Sequence, residues 1–248
     1  MRLDFLTACF IVSNLMKFSY GQTNDSAVSN KQIKFDTATR FQYSFKTAHA
    51  NAQALMTDDF FWSPIEETGP FGSDDGSDAA YGFRQWRVSN KSTSPINYLK
   101  ELLIQWNYPI FNWNEMDTNK IKEYILSSAN LDEASIQKKV EELKEAFKNS
   151  PDTGFKNLSD AQWRESIKSS SKAMGGLYLL GQDNAIIGTG FAQFVLEGRI
   201  DRELKKLITT ALKRQLLPLL INRYSEDYRI KRKEQLSKML DVVNKTNS

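Results

Sequence analysis

Seven carboxylates fall within the 21 residues from Asp58 to Asp78: Asp58, Asp59, Glu66, Glu67, Asp74, Asp75 and Asp78. No basic residue lies among them, so the stretch carries a local charge of −7. Phe60, Phe61, Trp62 and Phe71 are interleaved with the acids, Tyr81, Phe83 and Trp86 follow them, and Arg84 and Arg87 close the run. Like charges this close raise free energy unless water, a cation or an arginine offsets them. Three chemistries use such a set. As a contact surface, Trp62, Tyr81 and Trp86 would stack on a sugar or a partner side chain while Glu66, Glu67, Asp74, Asp75 and Asp78 accept hydrogen bonds and Arg84 donates them. As a glycan-type hydrolase, two of the carboxylates would serve as acid and as base or nucleophile, a role that depends on a separation set by the fold. As a cation site, Asp74, Asp75 and Asp78 would supply the ligands. The spacing departs from an EF-hand, with Ala79 at the position that needs glycine and Gln85 at the position that needs glutamate, so any such site would be irregular.

The same aspartates also suit a helix start. Asp74, Asp75 or Ser77 would cap a helix from about Asp78 to Arg87, with acids in its first turn and arginines in its last. Ser63-Pro64 and Thr68-Gly69-Pro70 force turns ahead of it. Thr47 to Met56 reads as a short alanine-rich helix capped by Thr47, and Ile33 to Phe45 as a short strand or extended arm.

Further along, Pro95 suits the first position of a helix through Trp106, with Leu99, Leu102, Leu103 and Trp106 on one face. Asp117 caps a helix ending near Ala129, and Asp132 opens a surface helix with Val140, Leu143 and Phe147 in a narrow apolar stripe. Residues 149–157, with Pro151 and Gly154, are the best internal boundary, and Ser159-Asp160 begins a helix toward Gly181. Ala173 to Leu196 is apolar except at Gln182-Asp183-Asn184, which predicts two buried helices around a tight turn, with Gly175, Gly176, Gly188 and Gly190 allowing close approach. A charge in mid-bilayer is costly, so this run is not read as a membrane span. Asp201 caps a long helix with Leu204, Leu207, Ile208, Ala211, Leu212, Leu216, Leu219 and Leu220 on its core face and a kink at Pro218, and Arg223 to Val243 forms a last helix with a basic face. The sequence therefore predicts a mainly α fold, a multi-helix globular domain of about eight helices.

Composition narrows the function. The chain has 248 residues, 40% apolar and 12% aromatic, enough for a core. Its net charge of +3 divides unevenly, because residues 199–248 hold 13 basic and 6 acidic groups, whereas residues 22–158 hold 15 and 19. Such an excess permits an anionic partner, and a solvated Lys/Arg helix face gives the same count. Arg2, the apolar run Phe5 to Met16, and Ser19 and Gly21 form a signal-peptide pattern over residues 1–21, with cleavage before Gln22 and a linker or arm over residues 22–46 ahead of the helical domain at 47–248. That run is shorter than the roughly 20 residues a span needs. The expectation is a periplasmic or secreted chain with no transmembrane segment once mature. A lipid anchor at Cys9 and a cytoplasmic chain with a buried N-terminal helix are the alternatives. Cys9 is the only cysteine and His49 the only histidine, which excludes disulfides, thiolate metal centres and histidine-rich zinc sites from the mature chain. No cofactor is expected.

The segments TAHANAQALM, DDFFWSPIEETGPFGSDDGSDAAYGFRQWR and DNAIIGTGFAQFVLEGRIDRELKKLITTALKRQLLPLL resemble the uncharacterised bacterial YfeS family over roughly Thr47 to Val243. FGSDDGSDAA also looks like an acidic Gly-x-Phe-x-Asn-Asp-x-Ala signature of a wider domain family. The resemblance implies a helical domain and no particular activity. Some relatives carry a Trp-Gly-Arg domain associated with nucleic acid. No Trp-Gly-Arg occurs here, so nucleic acid is not an expected partner. The functional expectation is an exported, non-catalytic binding module that engages a protein or glycan through the acidic-aromatic segment, with a carboxylate-dependent hydrolase or an irregular cation-binding domain as alternatives.

Overall fold

Side-chain caps set most of the helix boundaries in the computed structural model, which describes residues 42–127, 131–149, 155, 157–172 and 174–247. Ten α-helices run through these residues: α1 Ala50–Leu55, α2 Asp74–Ser89, α3 Pro95–Gln105, α4 Thr118–Ile125, α5 Glu133–Phe147, α6 Asp160–Ser171, α7 Gly175–Glu197, α8 Arg202–Gln215, α9 Pro218–Ile221 and α10 Glu226–Lys245. The fold is mainly α, with no strand among the described residues. Ser94 caps α3 with Pro95 behind it, Asp117 caps α4, Asp132 caps α5, Ser159 and Gln162 form a capping box on α6, and Asp201 caps α8. Each such oxygen satisfies an amide that has no partner within its helix.

The centre of the molecule is α7. Its sequence is apolar all round, and its residues from Leu179 to Val195 are buried on nearly every face. α1, α2, α3, α4 and α8 all pack against it. The main core joins Phe61, Phe71, Phe83, Leu99, Phe191, Phe194, Ile208, Leu212 and Met239. α2 crosses α7 where Gly76 meets Gly188: a methyl group on Gly188 would lie 2.3 Å from the Gly76 carbonyl oxygen, so the two backbones touch there only because residue 188 has no side chain. Gly198 ends α7 with φ +70°, and the His49 ring occupies the space that a side chain there would need. α5 and α6 pair with each other around Ile136, Val140, Leu143, Trp163 and Ile167.

Several expectations change. The run from Ala173 to Leu196 is one helix from Gly175, not two, and Gln182-Asp183 sits in its interior. Backbone hydrogen bonds continue through that point because partners from other helices satisfy the polar side chains. α2 starts at Asp74 with Ser73 as its cap, four residues ahead of the predicted start, and places Asp74 and Asp75 in its first turn. His49, not Thr47, caps α1; its Nδ1 accepts from the Asn51 amide, and Phe45–Thr47 is a single 3₁₀ turn. α4 ends at Ile125 rather than near Ala129, and α6 at Ser171 rather than toward Gly181. Pro218 breaks the chain rather than kinking it: α8 stops at Gln215, the Leu217 amide takes the Arg214 carbonyl at 3.0 Å, and Pro218 begins α9. The signal-peptide segment, most of the linker, most of the proposed strand and most of the boundary at 149–157 lie outside the described residues. No helix among the described residues is long and apolar enough to cross a membrane.

Candidate functional site

The acidic-aromatic segment has two parts, a turn that lies along α10 and the first half of α2. In the turn, Lys238 of α10 pairs with Asp58 at 3.3 Å, and Lys231 pairs with Glu66. Positions 231 and 238 are two turns apart and share a face of α10. Thr68, buried, meets the Tyr228 hydroxyl at 3.2 Å and accepts from Arg232 Nη1 at 3.1 Å. The bond to Glu66 holds the Lys231 ammonium above its ordinary range. Trp62 donates its indole N–H to the Met56 carbonyl at 3.0 Å and meets the Phe45 ring edge-on. Between these anchors the chain turns outward. Ile65 is 85% exposed, and Glu67 is exposed with no ion pair among the described residues.

In α2, Ser73 accepts from the Gly76 amide at 3.1 Å, which leaves Asp74 exposed in the first turn and turns Asp75 inward. Asp75 is 8% exposed and accepts from the Tyr108 hydroxyl at 2.7 Å. Burial, with the Asp75 charge behind it, pushes the Tyr108 hydroxyl far above its ordinary range, so Tyr108 remains a donor. Asp78 and Arg84 are exposed. Tyr81 is half-buried with its ring against Tyr43, and Tyr43 stacks on Phe71 at 4.4 Å. Trp86 is half-buried beside Phe83 and Tyr98. Arg87 binds Glu197 at 2.6 Å and the carbonyls of Asn90 and Thr93, tying α2 to the end of α7.

The predicted set is therefore distributed. Glu66 and Asp75 are held by different elements, the rings of Trp62, Tyr81 and Trp86 pack on the core, and Glu67, Asp74, Asp78 and Arg84 reach solvent. Among the described residues no group of three or more His, Cys, Asp or Glu side chains could hold a metal ion. In place of the irregular cation loop, Asp74 and Asp75 form the first turn of a capped helix.

The most costly polar cluster lies elsewhere. Asp183, fully buried in the middle of α7, accepts from Arg214 Nε at 3.2 Å, from Arg214 Nη2, and from Gln215 Nε2 at 2.6 Å. Arg214 is equally buried; its Nη1 donates to the carbonyls of Trp113 at 3.0 Å and Glu115 at 2.8 Å, and its guanidinium lies over the Phe111 ring. Gln215 accepts in turn from Arg232 Nη2 at 3.0 Å, and Arg232 reaches Thr68. The chain of bonds thus runs from the interior of α7 through α8 and α10 to the acidic turn. Complete burial pushes the Asp183 carboxyl up, and Arg214 and Gln215 pull it back toward the charged form. A signal for this cluster exists in the sequence: one acid inside an apolar run calls for one buried cation, and Arg214 stands in the leucine-rich helix ALKRQLL. Beside it, Gln182 accepts from the Trp113 indole at 3.2 Å and donates to the Tyr124 hydroxyl at 2.9 Å.

No protein-family model, curated protein or solved structure matches this chain.

Proposed function

We propose that this chain is an exported, non-catalytic interaction module that presents the turn between Trp62 and Gly72 to a protein partner. The observation that carries this reading is Ile65, an isoleucine 85% exposed at the tip of a turn whose flanks are pinned to α10. An apolar tip on a fixed backbone loses little conformational entropy on docking. Glu67 beside it, and Asp59 and Asp74 in the same segment, select a socket bordered by Lys and Arg through charge complementarity. A glycan has less support, because Trp62, Tyr81 and Trp86 pack much of their ring area inside the fold. Export and kinship with YfeS-like proteins belong to the same proposal and rest on the sequence patterns.

The test compares proteins retained by the immobilised chain with those retained by Ile65→Asp, Glu67→Lys and, as a control on another exposed apolar residue, Val88→Asp. The reading predicts a bound species that both turn variants lose and Val88→Asp keeps, with binding that weakens as salt is raised. A set of retained proteins identical across all four contradicts it.

A further inference from the structure

The first turns of α7 and the turn between α9 and α10 border a partly open cavity of about 180 Å³. Leu177 and Leu180 of α7, Leu220 of α9 and Tyr224 form apolar walls, and among the described residues Arg223 is the only charged one that lines it. Gln215 also reaches the cavity, but its amide is already bound to Asp183 and Arg232, so the inner end has no free polar group to offer. The Arg223 guanidinium lies flat on Gly176: a methyl group there would be 2.8 Å from Nη1 and 3.0 Å from Nη2. No hydrogen bond or ion pair among the described residues engages that guanidinium, unlike the buried Arg214 and Arg232. It stands at the N-terminal end of a 23-residue helix whose N-cap, Met174, supplies no side-chain bond, so the helix dipole adds to its field.

The geometry points to a binding site for a small aliphatic monocarboxylate, with the tail between Leu177, Leu180, Leu220 and Tyr224 and the carboxylate on Arg223. A planar guanidinium matches a carboxylate with two parallel N–H donors. A single cation balances a single negative charge, and the absence of any acid among the described lining residues argues against amines and zwitterions. At about 30 Å³ for each water-sized group, the cavity takes about six such groups, the size of hexanoate. This site does not depend on the partner reading of the Ile65 turn and stands or falls separately.

Isothermal titration of the full chain with butanoate, hexanoate and octanoate tests it, with hexan-1-ol as the uncharged control. Saturable hexanoate binding is expected, with affinity rising about fourfold for each added methylene up to hexanoate and levelling once the cavity is full. Hexan-1-ol on the unmodified chain, and hexanoate on Arg223→Met, should bind about tenfold more weakly. Arg229→Met should leave binding unchanged, and Leu180→Trp, which fills the cavity, should abolish it. Arg223 is exposed, so Arg223→Met should keep the parent's helical signal; were it to lose that signal, the comparison of hexanoate with hexan-1-ol decides. Absence of saturable hexanoate binding, equal binding of the acid and the alcohol, or binding unaffected by Leu180→Trp would overturn the site.

Discussion

Seven carboxylates crowd the stretch from Asp58 to Asp78, and a single carboxylate, Asp183, sits in the middle of α7, yet the single one makes the greater demand on the fold. Asp75 apart, the acidic stretch lies at the surface. Two of its members pair with lysines of α10, others face water, and screening there keeps each interaction weak. Asp183 is removed from water entirely, and so is Arg214, the partner that makes its charge tolerable. Density of charge along a sequence is thus a poor guide to where charge matters. What decides is how much water each group has lost. The exposed Glu67 and Asp74 of the acidic stretch keep their water, whereas the Asp183 cluster is committed to holding α7, α8, α10 and the loop at residues 106–117 in register.

The largest break in that contrast comes from Arg214→Met. It leaves Asp183 buried without its cation and should destabilise the protein by about 3–5 kcal/mol in denaturant unfolding. Removing both charges with Asp183→Leu and Arg214→Met should recover most of that loss. If Arg214→Met costs no more than Asp74→Asn, the distinction between the two regions fails. A smaller effect tests the one member of the acidic stretch that resembles Asp183. Tyr108→Phe removes the donor to Asp75 and should cost about 1–2 kcal/mol, whereas Asp74→Asn, at an exposed position, should stay within about 0.5 kcal/mol.

Acid titration sharpens the contrast with a smaller effect still. At the helix starts, hydrogen bonds from Lys120 and Asn119 amides hold Asp117 below its ordinary value of 3.8, and bonds from Ser135 do the same for Asp132. A carboxyl lowered in the folded state adds stability above its unfolded value and loses it as pH falls. The loss should therefore begin near pH 3.8 and deepen below it. Asp132→Asn keeps a capping oxygen but removes the titrating group, so it should make this limb shallower. Asp183 is displaced by burial in the opposite direction and does not contribute to that limb. An acid limb unchanged in Asp132→Asn, followed by circular dichroism, would show that the caps do not set it.

The same distinction explains what could be read from the sequence. Caps and first-turn residues act through neighbours a few residues away, so Pro95, Asp117, Asp132, Ser159 and Asp201 were legible as helix starts. The continuity of α7 was not, because Gln182 and Asp183 look like a turn until Arg214, Gln215, Trp113 and Tyr124 are brought to them by the tertiary fold. Gly76 misleads in the same way. It reads as a turn residue, but it lies inside α2 where that helix meets Gly188. Asp74, Asp75 and Ser77 were legible as residues of a helix start, although Ser73 is the cap. That Asp75 turns inward to Tyr108 while Asp74 stays in water depends on the packing of a loop 33 residues away, which no local pattern encodes.

Recognition through the turn that carries Ile65, as proposed above, should leave its mark at that residue. A photo-cross-linking residue placed at position 65, and separately at position 230, tests it most directly, because both native residues are exposed isoleucines, 85% and 62%, and only the first stands on the acidic turn. The expected outcome is a discrete cross-linked species from position 65 that disappears in Glu67→Lys and at raised salt, and none from position 230. Equal cross-linking from the two positions, or a position-65 species indifferent to Glu67→Lys, would contradict it.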